Sequence, residues 1–314
     1  MAEPRVSVIM PTYNRAGFIG LALDSLVGQT RPPDEVLVID DRSTDGTRAV
    51  VEAHPLRPRY FLQTENLGAS VARNRGVELA QADTIVFLDS DDVLAPAHHE
   101  TVLRILASSP DVGAVCCDCH MIGPGGEELH EASWTSIQSR IKSHPIASGR
   151  RSLADVFLFS TPFPGLTVRR QVYQEVGGLE QHLFPLDDYA FLLAVAASGA
   201  GVHYEHQSLA QYRLHGANES GPERAVEVGV KKLACVERAR VRYPAVQNLG
   251  PRAQHRVGEV RRELAIALLR KRRIGLGLLS LCRALVEEPA GFRDLQTIVR
   301  RKLARLRVDA AGKR

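Results

Sequence analysis

The chain has 314 residues, 44% of them hydrophobic and 24% charged, and a formal net charge of +4. That length allows one large α/β domain with a smaller region beside it, or two domains, and the composition is ordinary for a globular protein. No run is long and apolar enough to span a bilayer, and no signal peptide precedes the first predicted strand. The best apolar stretch, Ile274 to Leu281, is short and flanked by Lys271-Arg272-Arg273 and Arg283.

Five cysteines without a secretion signal point to reduced thiols in a cytoplasmic compartment. Cys116-Cys117-Asp118-Cys119 lacks the second ligand pair of a structural zinc site, because His120 alone does not supply one. The net charge hides an asymmetry. Residues 1–224 carry 18 Lys and Arg against 28 Asp and Glu, whereas residues 225–314 carry 22 against 8. An acidic domain over 1–224, split near residue 120, followed by a basic helical region over 225–314 is the expected organisation. Its basic end suits an anionic partner.

The elements follow in order. Val6 to Met10 reads as a buried strand broken by Pro11-Thr12-Tyr13-Asn14-Arg15. Phe18 to Leu26 has helical spacing. Glu35 to Ile39 is a second strand ending at Asp40-Asp41, and Ser43 to Thr47 a turn and N-cap before a short helix. Tyr60 to Gln63 is a strand, and Asn66-Leu67-Gly68 turns into a helix over Ala69 to Gln81. Thr84 to Leu88 is a strand, followed by a helix over Ala97 to Ala107. This alternation predicts a mostly parallel sheet covered on both faces, with ligands beyond the carboxyl ends of its strands. Val112 to Met121 is a further strand, and residues 127–165 read as a polar lid containing Trp134. Tyr189 to Ser198 is a helix opened by Asp187-Asp188, Val202 to Tyr212 a closing strand, and Ala225 onward helical and basic, with clusters at Arg270 to Arg273 and Arg300 to Arg307.

Ile85 to Leu88 runs straight into Asp89-Ser90-Asp91-Asp92. Three carboxylates in four residues repel one another and are costly to bury. A solvated acidic turn accounts for them, and so does a divalent cation shared with a substrate's phosphates. The first strand is not followed by G-x-G-x-x-G, and no phosphate loop ending in Gly-Lys-Ser/Thr occurs, which argues against dinucleotide-binding and P-loop proteins. No helix-turn-helix, zinc finger or aromatic array supports nucleic-acid binding.

The segments VSVIMPTYNR, IDDRSTDGT, NLGASVARNRG, FLDSDD, VGGLE and DDYAFLL, in this order between residues 5 and 215, together resemble the family 2 glycosyltransferases, inverting enzymes of GT-A fold. The resemblance implies transfer of a sugar from a nucleoside diphosphate, UDP first, to an acceptor hydroxyl in cell-surface polysaccharide, glycolipid or other glycoconjugate synthesis. It places the nucleotide on Pro11, Thr12, Tyr13, Asn14, Arg15, Asp41, Asn66, Arg73, Ser90 and Asp91. Tyr13 would stack on the base and Asp41 bond the uracil. It places Mg²⁺ or Mn²⁺ on Asp91 and Asp92, with His215 as a further candidate, and makes Asp188 the catalytic base. For Tyr13 a core role, for Arg73 a helix surface, for Asp188 plain helix capping and for His215 a loop role are the alternatives. Three departures stand out: Arg42 where the family has glycine, Asp187 where it has glutamate, and Ala194 where an arginine is common. Trp134, Phe163 and His182 are candidates for the acceptor pocket. The basic tail suggests a saccharide or lipid-linked acceptor and peripheral contact with the inner membrane face, or a homo-oligomer. A catalytically inactive scaffold on the same fold is the alternative reading.

Overall fold

The structure is a computed structural model describing residues 4–129, 133, 147–158, 164–216, 218 and 222–287. Trp134, Phe163, most of the expected lid and the cluster Arg300 to Arg307 lie outside the described residues. The chain divides into two compact units, Met1–Glu219 and Ser220–Arg314.

The first unit is built on one sheet. Its strands are β1 (Val6–Thr12), β2 (Glu35–Asp40), β3 (Arg59–Leu62), β4 (Thr84–Phe87), β5 (Val93–Leu94), β6 (Val112–Ile122), β7 (Gly149–Arg151), β8 (Thr167–Arg169) and β9 (Gly201–Arg213). The order is β3-β2-β1-β4-β8-β6-β9-β5, with β7 also on β9. The β3-β2-β1-β4 half is parallel, as is the long β6–β9 pair, while β5, β7 and β8 pair antiparallel with their neighbours. The sheet is therefore mixed around a parallel half.

β1 is buried along its whole length. It lies between β2, with Val8 opposite Val36, and β4, with Ile9 opposite Phe87. A strand covered on both faces needs no polar alternation, which is why Val6 to Met10 is nearly all apolar. Helix α1 (Ile19–Val27) buries Ile19, Ala22, Leu23 and Leu26, a single stripe at i, i+3, i+4 and i+7. Further helices of this unit are α2 (Thr47–Ala53), α3 (Ala69–Leu79), α4 (His98–Ser108), α5 (Leu153–Leu158), α6 (Arg170–Glu175) and α7 (Asp187–Ala197). Cys116, Cys117 and Cys119 are buried in β6, where burial pushes the Cys117 and Cys119 thiols up, and they act there as small apolar side chains.

Gly76 sets how closely α3 approaches β1. A Cβ there would lie 2.3 Å from Ile9 Cγ2. The second unit contains α8 (Ala225–Arg242), α9 (Pro244–Gln247), α10 (Pro251–Arg270) and α11 (Ile274–Glu287). Its core includes Cys235, Val236, Ala239, Val257, Val260, Leu264, Ala265 and Leu268.

Gly76→Ala makes a test of sign. In an exposed helix the change would stabilise by about 1 kcal/mol. Here it is expected to destabilise by about 1–3 kcal/mol through overpacking, read as a lower urea midpoint with an unchanged slope.

Candidate active site

Polar groups gather where β1, β2 and β4 end. Asp40 lies wholly buried at the end of β2; its Oδ1 accepts from Ser43 N at 2.7 Å and its Oδ2 from Tyr60 Oη at 2.6 Å, so it holds the turn. Asp41 accepts from Gln63 Nε2 (2.7 Å), Leu67 N (2.8 Å) and Gly68 N (2.7 Å). Both of its oxygens clamp the loop entering α3, a duty the sequence reading had not given it. Arg42 adopts φ +69°. That left-handed geometry is what makes glycine natural at this point, and here the guanidinium donates to Thr64 O instead.

After β1 the backbone turns with Asn14 at φ +52°. Asn14 Oδ1 accepts from Thr44 N at 2.8 Å, and its own N–H donates to Ser43 Oγ at 2.9 Å. Tyr13, 44% exposed, is therefore no core residue. Pro11, Thr12 and Ser90 are buried, and Asn66 is exposed at the loop tip. Thr12 Oγ1 is buried without a hydrogen-bond partner.

Asp91 is the meeting point of three segments. Arg15 Nε donates to its Oδ2 at 2.9 Å, and His215 Nε2 lies 3.0 Å from the same oxygen. The His215 ring stacks on Phe18 at 4.9 Å between centroids, and the Arg213 guanidinium lies 5.5 Å from that phenyl ring. Asp92 departs from expectation. Its Oδ1 accepts from Arg213 N at 2.9 Å, and its Oδ2 is buried with no hydrogen-bond partner. The reason is Arg213, which reaches back from β9 to donate to Asp91 O (2.8 Å) and to Gly123 O and Pro124 O (both 3.2 Å). Among the described residues no three His, Cys, Asp or Glu side chains form a ready-made metal cage, so the expected set Asp91, Asp92 and His215 is not assembled. Burial, then the charges of Asp91 and Asp89, push the Asp92 carboxyl well above the usual range.

The residues nonetheless fit a divalent cation at Asp91 and His215. Neighbouring ligands on an octahedral ion with bonds of about 2.0–2.1 Å stand about 3 Å apart, as these two atoms do. The partnerless buried oxygen of the adjacent Asp92 marks an excess of carboxylate that a cation would relieve.

Arg73 is the second centre. It is 5% exposed, donates to Asp89 Oδ1 at 2.6 Å and stands 3.6 Å from Asp187 Oδ2. Ser70 Oγ donates to the same Asp187 oxygen at 2.7 Å. Asn74, the next residue of α3, bonds Leu179 through both its amide atoms at 3.0 Å, pinning the Gly177-Gly178-Leu179 turn. Ser70, Arg73 and Asn74 follow i, i+3, i+4 spacing on one helix face. That spacing is the signal that could have added Ser70 and Asn74 to Arg73 from the sequence; nothing in it points to Asp187.

Asp187 is buried and Asp188 half-buried at the start of α7. Asp188 Oδ1 accepts from Tyr189 N at 2.6 Å. Burial, then the neighbouring charge of Asp187, push the Asp188 carboxyl up to about 7. His182 is exposed in a short turn, 3.6 Å from Glu180, and Ala194 lies within α7.

A mixed α/β sheet with a carboxylate cluster beyond its parallel strand ends defines a nucleotide-sugar type of site on a GT-A fold. Residues 7–177 match the model of glycosyl transferase family 2, and the chain belongs to that family. It is a glycosyltransferase. An uncharacterized glycosyltransferase of Haemophilus influenzae is 27% identical over 268 residues, covering 79% of this chain and 87% of that protein. The mannosyltransferase PcManGT from Pyrobaculum calidifontis, solved in complex with GDP-Man and Mn²⁺, has a TM-score of 0.64 at 20% identity, over 97% of this chain and 81% of that one. S. aureus TarS 1–349 in complex with UDP-GlcNAc has a TM-score of 0.56 at 16% identity, over 92% of each. At these identities the solved structures speak for the fold.

Arg73→Met removes the one cation shared by Asp89 and Asp187. The expected loss is about 3–5 kcal/mol, the usual cost of stranding a buried partner, measured by urea unfolding. An unchanged midpoint would show that solvent or a rearranged side chain takes over its place.

Proposed function

We propose that the enzyme transfers a sugar from a nucleoside diphosphate, UDP in the first instance, to the hydroxyl of a saccharide or lipid-linked acceptor, with inversion at the anomeric carbon. The observation that carries this reading is the half-buried Asp188 beside a buried Asp187, with a carboxyl raised to about 7. A carboxylate with that pKa accepts a proton near neutral pH far better than an ordinary aspartate. Its Oδ1 is engaged by Tyr189 N–H, so Oδ2 is the atom that would accept the acceptor's hydroxyl proton as that oxygen attacks. Attack by the free hydroxyl on the face opposite the diphosphate inverts the centre and needs no nucleophilic Ser or Cys. Asp187, fixed by Ser70 and Arg73, keeps α7 in place and adds its charge to the burial that raises the Asp188 carboxyl.

On the donor side, the exposed Tyr13 ring offers a stacking surface for the base, and Asn66 stands on the loop that Asp41 orders. Asp41 acts through that loop. Asp91 and His215 would hold Mg²⁺ or Mn²⁺, which when bound offsets charge growing on the leaving diphosphate. Arg15, already on Asp91, adds positive charge at the same point. The basic second unit suits peripheral membrane contact, which would bring a lipid-linked acceptor to the enzyme.

Calorimetry with UDP and GDP, each with and without Mn²⁺, tests the donor assignment. Metal-dependent binding of UDP, weakened by Asp91→Asn, is expected; preference for GDP would replace the donor. Asp188→Asn is expected to lower turnover by about 10²–10⁴-fold while nucleotide affinity stays within a few-fold. In the native enzyme the turnover rate should rise with pH up to about 7 and then level, because only the ionised base works. Asp187→Asn removes a like charge, so its rising limb should move to lower pH; an unmoved limb would detach that limb from Asp188.

A further inference from the structure

The second unit has one helix whose composition does not match its surroundings. Helix α11 reads IGLGLLSLCRALVE, strongly apolar apart from Ser280, Arg283 and Glu287. Such a helix is expected to be buried. Its inner side is: Gly277, Ser280 and Ala284 are buried, and Ser280 Oγ donates to Arg261 O of α10 at 3.0 Å. Its outer side is not. Ile274 is 61% exposed, Leu278 50% and Leu279 51%, and Cys282 is exposed between them. At 100° per residue Leu278, Leu279 and Cys282 share one face, with Ile274 at its edge.

The charges beside this face are also unbalanced. Among the described residues of the unit, Arg224 and Lys231 pair with Glu227, Lys232 with Glu263, Arg256 with Glu259 and Arg261 with Glu237. Between Glu263 and Glu287 there is no acidic residue at all. Arg270, Lys271, Arg272, Arg273 and Arg283 fall in that gap, all exposed. Among the described residues, an exposed apolar face and a cationic edge without an acidic partner thus occur on one short helix and its entry turn. No described helix is long and apolar enough to cross a membrane. At 14 residues, α11 is about 21 Å long, against a hydrocarbon core of about 30 Å.

We propose that α11 lies in the plane of an anionic phospholipid surface, with Leu278 and Leu279 inserted among the acyl chains and Arg270 to Arg273 on the headgroups. This deepens the membrane contact proposed above and rests on it for its use, but not on the donor assignment. Leucine burial supplies affinity and the arginines supply preference for negative lipid. A second copy of the chain would also cover the leucines, but the unpaired cations would then face their own kind.

Flotation of the full chain with phosphatidylcholine vesicles, with and without 30% phosphatidylglycerol, tests this. Binding is expected to need the anionic lipid, and to fall about tenfold or more in Leu278→Glu/Leu279→Glu. Val230→Glu on α8, at a side chain 52% exposed among paired charges, should leave it unchanged. Equal binding by the double variant and the native chain, or complete loss of both at 0.5 M salt, would overturn the insertion. A native dimer that the double variant converts to monomer would overturn it in favour of a second copy. Nucleotide calorimetry separates the two readings: in the double variant, intact nucleotide binding with lost flotation leaves the donor site standing, and in the native chain, absent nucleotide binding with flotation that needs anionic lipid leaves the docking face standing.

Discussion

A guanidinium enclosed between two carboxylates underlies the organisation of the first unit. Arg73 sits on α3, Asp89 follows β4, and Asp187 opens α7. Removing a charge from water is costly unless it is paired, so the three groups fix each other's elements. α3 is in turn set on the sheet by the Gly76 contact with Ile9 and on the turn before α7 by Asn74. Through one helix the strand ends that carry Asp89 and Asp91 are tied to the helix start that carries Asp188. The donor and base sides of the candidate site cannot move apart without exposing a buried ion pair.

The same electrostatics explain why the site is acidic in excess. Asp89, Asp91, Asp92, Asp187 and Asp188 face Arg15, Arg73 and Arg213. The deficit falls on Asp92 and Asp188, the two whose carboxyls burial and like charge raise most clearly. A raised carboxyl in a cleft has two outlets: a proton or a cation. Asp188 is half-exposed, so a proton can come and go. Asp92 is 1% exposed and held by Arg213 N–H, so its raised carboxyl favours the proton or a nearby cation.

Much of this was legible in the residues. The order of strands and helices follows from apolar runs and spacing, and the strand-end carboxylates mark the candidate site proposed here. Direction and orientation were not legible. β5 and β7 have two and three residues, too few to show a period, and β8 gives no sign that it runs antiparallel. Asp91 and Asp92 are equivalent as letters. Only the return of β9, which brings Arg213 against the backbone of Asp91 and the carboxylate of Asp92, decides that one faces out and the other in. Asp41 likewise reads as a free carboxylate until the loop at Leu67 and Gly68 closes on it.

The two aspartates at the start of α7 show how a short sequence divides labour. Adjacent residues on a helix point about 100° apart, so if one faces the core the next faces the cleft. Asp187 faces the core, where a side chain one methylene shorter than glutamate still reaches Ser70 Oγ at 2.7 Å and stands 3.6 Å from Arg73. Because it is buried there, its charge acts on Asp188 at close range and with little screening by solvent. The neighbour's proton affinity is thus raised by a residue that need never touch a substrate. The i, i+3 spacing of α3 brings Ser70 and Arg73 together on one face, where both meet the shorter Asp187 side chain.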